Sequence, residues 1–359
     1  MLRRWPHALV TLLLAALILS SVTAQEKDAK KDDTKKDAKK DDAKKDDKKD
    51  DAKKDDKKDE PKETGEADLQ WGFKEGKGFY QKMTTKTEQK MTVSTNQVLQ
   101  KQDQTFVFLW TPVKKDGDNW VIKQKIEAVI MNIDIGNQKI SYDSTKDQQN
   151  VNNPLAEFFK ALVGTEFTLT LDKNMKVIKL EGRDDFVKKL TGANPQMKPL
   201  LEQILSEKAM MEMAEPTFAA IPGVKKKKGD SWSKTTNLDM GPIGKYENTY
   251  KYTYDGKDEK EKKFDKIKVE TTLKYTEPGE NVAASTLPFK IKSADLKSTK
   301  ADGVILYDPE QKRIEKTTMD LELKGTLTID IGGQPTVVEL EQKQTSTVET
   351  SDKNPVSKS

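Results

Sequence analysis

The sequence predicts an α+β protein that is mainly β: a curved, half-barrel-like antiparallel meander, single or duplicated, with helices packed against it. Three observations carry this. Apolar residues alternate with polar ones along several stretches, as at Phe106, Phe108 and Trp110, or Val129, Met131, Ile133 and Ile135, the period of strands with one buried face. The breaks between them are short and rich in turn residues, at Asp116-Gly117, Gly136-Asn137 and Asp172-Lys173-Asn174, which joins neighbours in antiparallel fashion. A helical interval, from about 184 to 214, interrupts the strands, with a shorter helix before it.

The chain opens with Arg3 and Arg4, an apolar run from Ala8 to Leu19, and Val22-Thr23-Ala24. That is the layout of a secretory signal peptide, residues 1–24, cleaved after Ala24. The run is short of the roughly 20 residues a membrane-spanning helix needs; retained uncleaved, it would be an anchor. No cysteine occurs in the sequence, so a lipid-anchored signal and a disulfide framework are both excluded. The protein is expected to be exported, periplasmic or extracellular.

Residues 25–69 read as a low-complexity spacer. From Lys27 to Glu60 there are 15 lysines against 14 acidic residues, too little apolar surface to offset the entropy of ordering. A charged helix is disfavoured, because Lys44 would face Lys48 and Asp46 would face Asp50 at i,i+4. A flexible spacer of this length spans on the order of 40 Å.

The folded region is expected at 70–345, with halves at 70–222 and 223–345. In the first half, a helix at Pro154 to Val163 precedes the strand Phe167, Leu169, Leu171. The later helical interval breaks between Gly192 and Pro199, and its second part carries Leu200, Leu201, Ile204, Leu205, Met210, Met211 and Met213 at mixed three and four spacing. The second half restarts after the lysine run Lys225 to Lys228, read as a solvated loop. Strands follow at Tyr246 to Tyr254, Ile267 to Tyr275, Val304 to Tyr307, Ile314 to Leu323, Leu327 to Ile331 and Val337 to Leu340. "FTLTLDKNMKVIKLEG" and "GVILYDPEQKRIEKTT" both read as strand, aspartate-led turn, strand, the basis for a duplicated plan. Residues 346–359 are polar and read as a disordered tail.

Composition removes much chemistry. The single histidine, His7, lies in the signal peptide, so the mature chain lacks the residues of a serine–histidine triad, a cysteine protease or a nitrogen–sulfur zinc site. Charged residues make up 35% of the chain, so adjacent carboxylates such as Asp184-Asp185 do not single out an acid–base pair. Asp116-Gly117-Asp118-Asn119 runs into Trp120, Val121 and Ile122, which suits a hairpin turn rather than a calcium loop. No nucleotide-binding glycine motif occurs. A net charge of +4 gives no broad basic surface for nucleic acid. The expectation is a protein that is not an enzyme and needs no cofactor or metal.

The methionines have two readings: core filling against the sheet, or a pliable lining for a lipid-like ligand. On the second, the candidate lining is Phe158, Phe159, Leu162, Leu201, Leu205, Met210, Met211 and Met213.

The order of signal peptide, spacer, "GKGFY" (Gly76 to Tyr80), "LVGTEFTLTLDKNMKVIKLEG" (Leu162 to Gly182) and "GDSW" from Gly229 resembles a family of exported bacterial β-rich proteins of unknown function, over about residues 70 to 345. The architecture is also similar to the half-barrel of the LolA and LolB lipoprotein carriers, a likeness of fold that transfers no residue. Two functions follow as expectations. One is a carrier holding a lipid, an acylated protein or another apolar ligand between sheet and helices. The other is a cell-envelope structural or interaction module contacting a protein or wall polymer, with the membrane itself a partner only if the signal stays uncleaved.

Overall fold

A computed structural model describes residues 65–136, 138–146, 156–193, 195–279 and 289–356. The signal peptide, the spacer up to residue 64, the turn position Asn137 and the expected helix start at Pro154 lie outside the described residues. The strands are β1 (Glu66–Leu69), β2 (Phe79–Val93), β3 (Asn96–Asp116), β4 (Asn119–Ile135), β5 (Gln138–Asp143), β6 (Glu166–Leu171), β7 (Val177–Glu181), β8 (Val224–Lys227), β9 (Ser231–Asp239), β10 (Lys245–Lys257), β11 (Asp265–Thr276), β12 (Lys290–Asp308), β13 (Arg313–Ile331) and β14 (Gln334–Ser351). The helices are α1 (Ala156–Leu162), α2 (Arg183–Ala193), α3 (Lys198–Ile204) and α4 (Glu207–Ala219).

One large antiparallel sheet runs in the order β7-β6-β4-β3-β2-β14-β13-β12-β11-β10-β9, with β5 pairing β4 off this path. The two expected halves therefore share a single sheet, joined where β14 pairs β2. The sheet does not close on itself. Its two ends, β7 and β9, both pack against α4, so the sheet curls until one helix spans the gap.

The local chemistry accounts for these elements. Asp116 pairs with Asn119 across a two-residue turn in which Gly117 takes a φ of 60°, as such hairpins require. Asp172 Oδ1 accepts from the N–H groups of Asn174 (2.8 Å) and Lys176 (2.9 Å), fixing the β6–β7 turn. Ser206 caps α4, accepting from Ala209 N–H at 3.2 Å. Arg183, at the start of α2, donates to the carbonyls of Leu205 (2.8 Å) and Glu202 (3.0 Å), satisfying groups that the end of α3 leaves open.

Three boundaries differ from the sequence reading. Strand β1 lies inside the stretch assigned to the spacer, and Ala67 and Leu69 are buried; four residues, two of them acidic, are too few to show a period. Its partner is β8, so the lysine run is strand rather than loop, with Lys225 opposite Asp68. The expected tail from 346 is the end of β14, still paired with β2 as far as Ser351 opposite Tyr80. Threonines supply the strand propensity there without apolar periodicity.

Residues 70–78 form a strap across one end of the sheet. Gly72 N–H donates to Lys312 O and Gly76 N–H to Pro112 O, both at 2.8 Å. Trp71 Nε1 donates to Phe218 O on α4 (3.0 Å), and Tyr307 Oη donates to Gln70 O (2.6 Å). The "GKGFY" segment thus leads from the strap into β2.

Candidate functional site

The helices fill the space in which a groove was expected. Phe159, Leu162, Leu201 and Met210 are buried in the main core, and Phe158, Leu205, Met211 and Met213 pack against it half-buried. The same core includes Ile122, Val129 and Leu169 from the sheet and Leu190 from α2. Three surface clefts of about 330, 630 and 440 Å³ are lined by other residues, the first by the strap and the Glu310–Arg313 turn. The core-filling account of the methionines is the one the packing supports.

The inner face of the sheet, the face that receives the helices, shows a different pattern where β3, β2 and β14 run side by side. Register places Val98, Met91 and Leu340 in one row; then Gln100, Gln89 and Gln342; then Gln102, Thr87 and Gln344; then Gln104, Thr85 and Ser346; then Phe106, Met83 and Val348. Two apolar rows thus bracket three neutral polar ones. On the outer face of the same strands the alternate residues are charged: Lys86, Glu88 and Lys90 on β2, Lys101 and Asp103 on β3, Glu341 and Lys343 on β14.

The polar rows are shut away from solvent: Gln100 is 1% exposed, Gln89 and Gln342 2%, Gln344 4%. Along β3 the amides are chained, Gln100 Nε2 donating to Gln102 Oε1 (3.3 Å) and Gln102 Nε2 to Gln104 Oε1 (3.0 Å). Gln344 Nε2 donates to Ser346 Oγ at 3.3 Å. Six amide atoms have no partner among the described residues: Nε2 and Oε1 of Gln89, both again of Gln342, and Oε1 of Gln100 and Gln344. An unpartnered buried polar atom costs about 1–3 kcal/mol, so six together rival the roughly 5–15 kcal/mol that holds a domain folded. This band of the interior is chemically suited to an occupant that forms hydrogen bonds.

Beside the band lies an apolar shelf that is only half covered. Phe106, Met83 and Val348, with Phe108 one row further on, are intermediate in exposure although they point to the inner face. The rings of Phe106 and Phe108 stack 5.9 Å apart at an interplanar angle of 4°.

Titratable groups are distributed as structural parts. Asp265, 1% exposed, accepts from Tyr254 Oη at 2.8 Å and pairs with Lys257 at 3.1 Å. Among the described residues no three histidine, cysteine, aspartate or glutamate side chains lie close enough together to share a metal ion. Glu212 on α4 is the strained member: its Oε2 is buried without a partner among the described residues. Desolvation pushes its pKa up, aided by the Asp239 and Glu215 carboxylates and opposed by Lys208 and the Asp239 N–H. A carboxyl whose folded pKa is raised favours the fold below its unfolded pKa and loses that contribution as pH rises through the folded value. Glu212→Gln is therefore expected to raise Tm at pH 8, by a few degrees for roughly 1 kcal/mol in a domain of this size, and to leave it unchanged at pH 4. Scanning calorimetry at the two pH values checks this; equal shifts at both would show that Glu212 carries its charge in the fold without cost.

Residues 117–332 match the profile of a family of unknown function, DUF6263. No curated protein matches the sequence. A solved structure concerned with lipid–protein interactions in lipovitellin aligns with 80% of this chain at 12% identity and a TM-score of 0.39, and the chain spans only 27% of that lipovitellin chain. OccK5 (OpdH) of Pseudomonas aeruginosa aligns with 76% of this chain and 97% of its own, at 6% identity and a TM-score of 0.22. OprG from the same organism aligns with 78% and 98%, at 7% identity and a TM-score of 0.14.

Proposed function

The chain belongs to DUF6263, a family of unknown function, and on that premise we propose that it is an exported, non-enzymatic binding protein that carries an amphipathic ligand on the inner face of its sheet. The observation that carries the reading is the half-covered apolar shelf of Phe106, Phe108, Met83 and Val348 lying directly beside a solvent-shielded polar band. The lipid-like character expected of the ligand is kept, and its place moves from the helix–sheet gap to β2, β3 and β14. Export is supported by the basic, apolar, small-residue order of residues 1–24. The lack of any histidine beyond His7 supports a role without catalysis.

The test is native mass spectrometry of the full chain purified without detergent or denaturant. A co-purifying species of defined mass is expected, and Phe106→Ala with Phe108→Ala should release it. A bare polypeptide mass from both proteins would overturn the reading.

A second reading, an envelope-interaction module, is favoured by a separate observation. Val98, Leu99, Ile331 and Val337 are 36%, 56%, 48% and 55% exposed, and all four lie at the β2–β3 and β13–β14 turns, which register makes neighbours through Val93 and Val338. Exposed apolar side chains gathered in this way suit contact with another surface. Loss of a pulled-down envelope partner on Leu99→Ser with Val337→Ser, with the co-purifying species absent, would favour this module over the carrier.

A further inference from the structure

We infer that the polar band holds the ligand's head group, and that this head group is neutral and carries several hydroxyl or amide groups, as a sugar does. The inference rests on the binding reading above and specifies which chemistry is bound, and where.

The row Gln342, Gln89, Gln100 with Gln344 beside it offers two amide NH₂ groups and four carbonyl oxygens without partners. That inventory calls for an occupant that both accepts and donates. A carboxylate or phosphate only accepts and would meet four carbonyl oxygens; an ammonium or metal cation only receives lone pairs and would meet the NH₂ donors. Turning over Gln89 or Gln342 leaves the inventory as it is, and turning over Gln100 or Gln344 frees an NH₂ group in place of a carbonyl oxygen, so donors and acceptors are both left open either way. Charge points the same way. No lysine, arginine, aspartate or glutamate stands in any of the three polar rows, so an ion drawn in from water would find no counter-charge. The charged residues that alternate with these rows, Lys86, Glu88, Lys90, Lys101, Asp103, Glu341 and Lys343, lie on the other face.

Geometry sets the size. Adjacent strands lie about 4.8 Å apart and successive inward residues about 6.8 Å apart along a strand, so the polar groups of two rows over three strands span about 10 Å by 7 Å, the reach of one or two sugar rings. Because the glutamines are at most 4% exposed, a head group enters by displacing the side chains that cover them. The chained amides of Gln100, Gln102 and Gln104 hold part of the patch in one arrangement, which limits the ordering that binding demands. The rest of the ligand would run past Gln104, Thr85 and Ser346 onto the Phe106 and Phe108 shelf, which begins two rows beyond.

Isothermal titration of the full chain with octyl glucoside, octyl phosphate and octylamine, each below its micelle concentration, separates head from tail. The glucoside is expected to bind about tenfold or more tightly than the two charged compounds, since buried amides left unpaired reject a mismatched head. Gln89→Leu with Gln342→Leu should abolish that preference and leave a weaker tail affinity common to all three. Gln89→Met alone serves if the double variant does not fold. Equal affinity of wild type for all three would overturn the head-group inference while leaving the shelf reading intact. Binding of none, with a bare mass in native spectrometry, would overturn the binding reading itself. Binding of none together with a higher Tm for the double variant would identify the band as a water pocket and overturn the inference.

Discussion

Phe218→Ala is expected to lower the stability of the fold by about 3–5 kcal/mol, more than any other single truncation of the helical layer. Phe218 lies at the end of α4 and is 1% exposed. Its ring meets Trp110 of β3 edge-on at 5.3 Å, and Trp71 and Phe73 of the strap at 6.0 and 6.2 Å. Truncation removes the apolar burial and three edge contacts together, and such contacts add roughly 0.5–1.5 kcal/mol each beyond area. The consequence reaches further than the cavity, because α4 packs against both β7 and β9 and so ties the two ends of the curled sheet to one helix. Urea unfolding should show a lower midpoint with an unchanged slope, and Phe218→Leu should recover more than half of the loss. A cost below about 1 kcal/mol would show that the strap and α4 are held by other contacts.

Much of the fold was legible because its cues are local. The period-two runs at Val129 to Ile135 and Phe167 to Leu171 are β4 and β6. The turns at Asp116, Asp172 and Gly332-Gly333 connect the strands they were expected to connect. The helices were found from mixed spacing, though the interval extends to Ala219 because Pro216 is accommodated within α4. What a local reading could not supply was the curvature. It could say that Met210 and Phe159 face inward; whether they line a space or fill it depends on how closely α1, α3 and α4 approach the sheet.

The polar band was missed for a related reason. Gln100, Gln102 and Gln104 alternate with Lys101 and Asp103, and a polar alternation read alone resembles a solvated strand. A usable signal was nevertheless present. Over β2, over β14 and over β3 as far as Trp110, one parity carries all the charges, while the other carries only uncharged residues, amides and hydroxyls between apolar ones. Lysine and glutamate tolerate only water or a counter-ion, whereas glutamine can be buried if it is paired. The side of a polar strand that avoids charge is the side to place inward.

Gly325→Ala is expected to cost about 3 kcal/mol, the upper end for forcing extra atoms into a packed site, and so to lower Tm by on the order of 10 °C. The sequence reading broke the chain here, into strands ending at Leu323 and restarting at Leu327, yet β13 runs unbroken from Arg313 to Ile331. It does so because Gly325 takes a φ of 157°, which an alanine adopts only with strain. A Cβ at this position would run into the Asp295 carbonyl oxygen of β12 and lie 2.8 Å from Leu296 Cα. Gly325 is paired on its other side with Leu340, so β13 cannot move away from β12 without pressing on β14. The Met91, Leu323, Leu327 and Leu340 cluster next to the polar band would loosen with it, and faster amide exchange at Leu323 and Leu340 should accompany the lower Tm. Gly192→Ala provides the control, since a Cβ there meets nothing within 4 Å and alanine favours the helix by about 1 kcal/mol. If the two substitutions changed Tm alike, the close approach of β12 to β13 at Gly325 would not be what holds these strands in register.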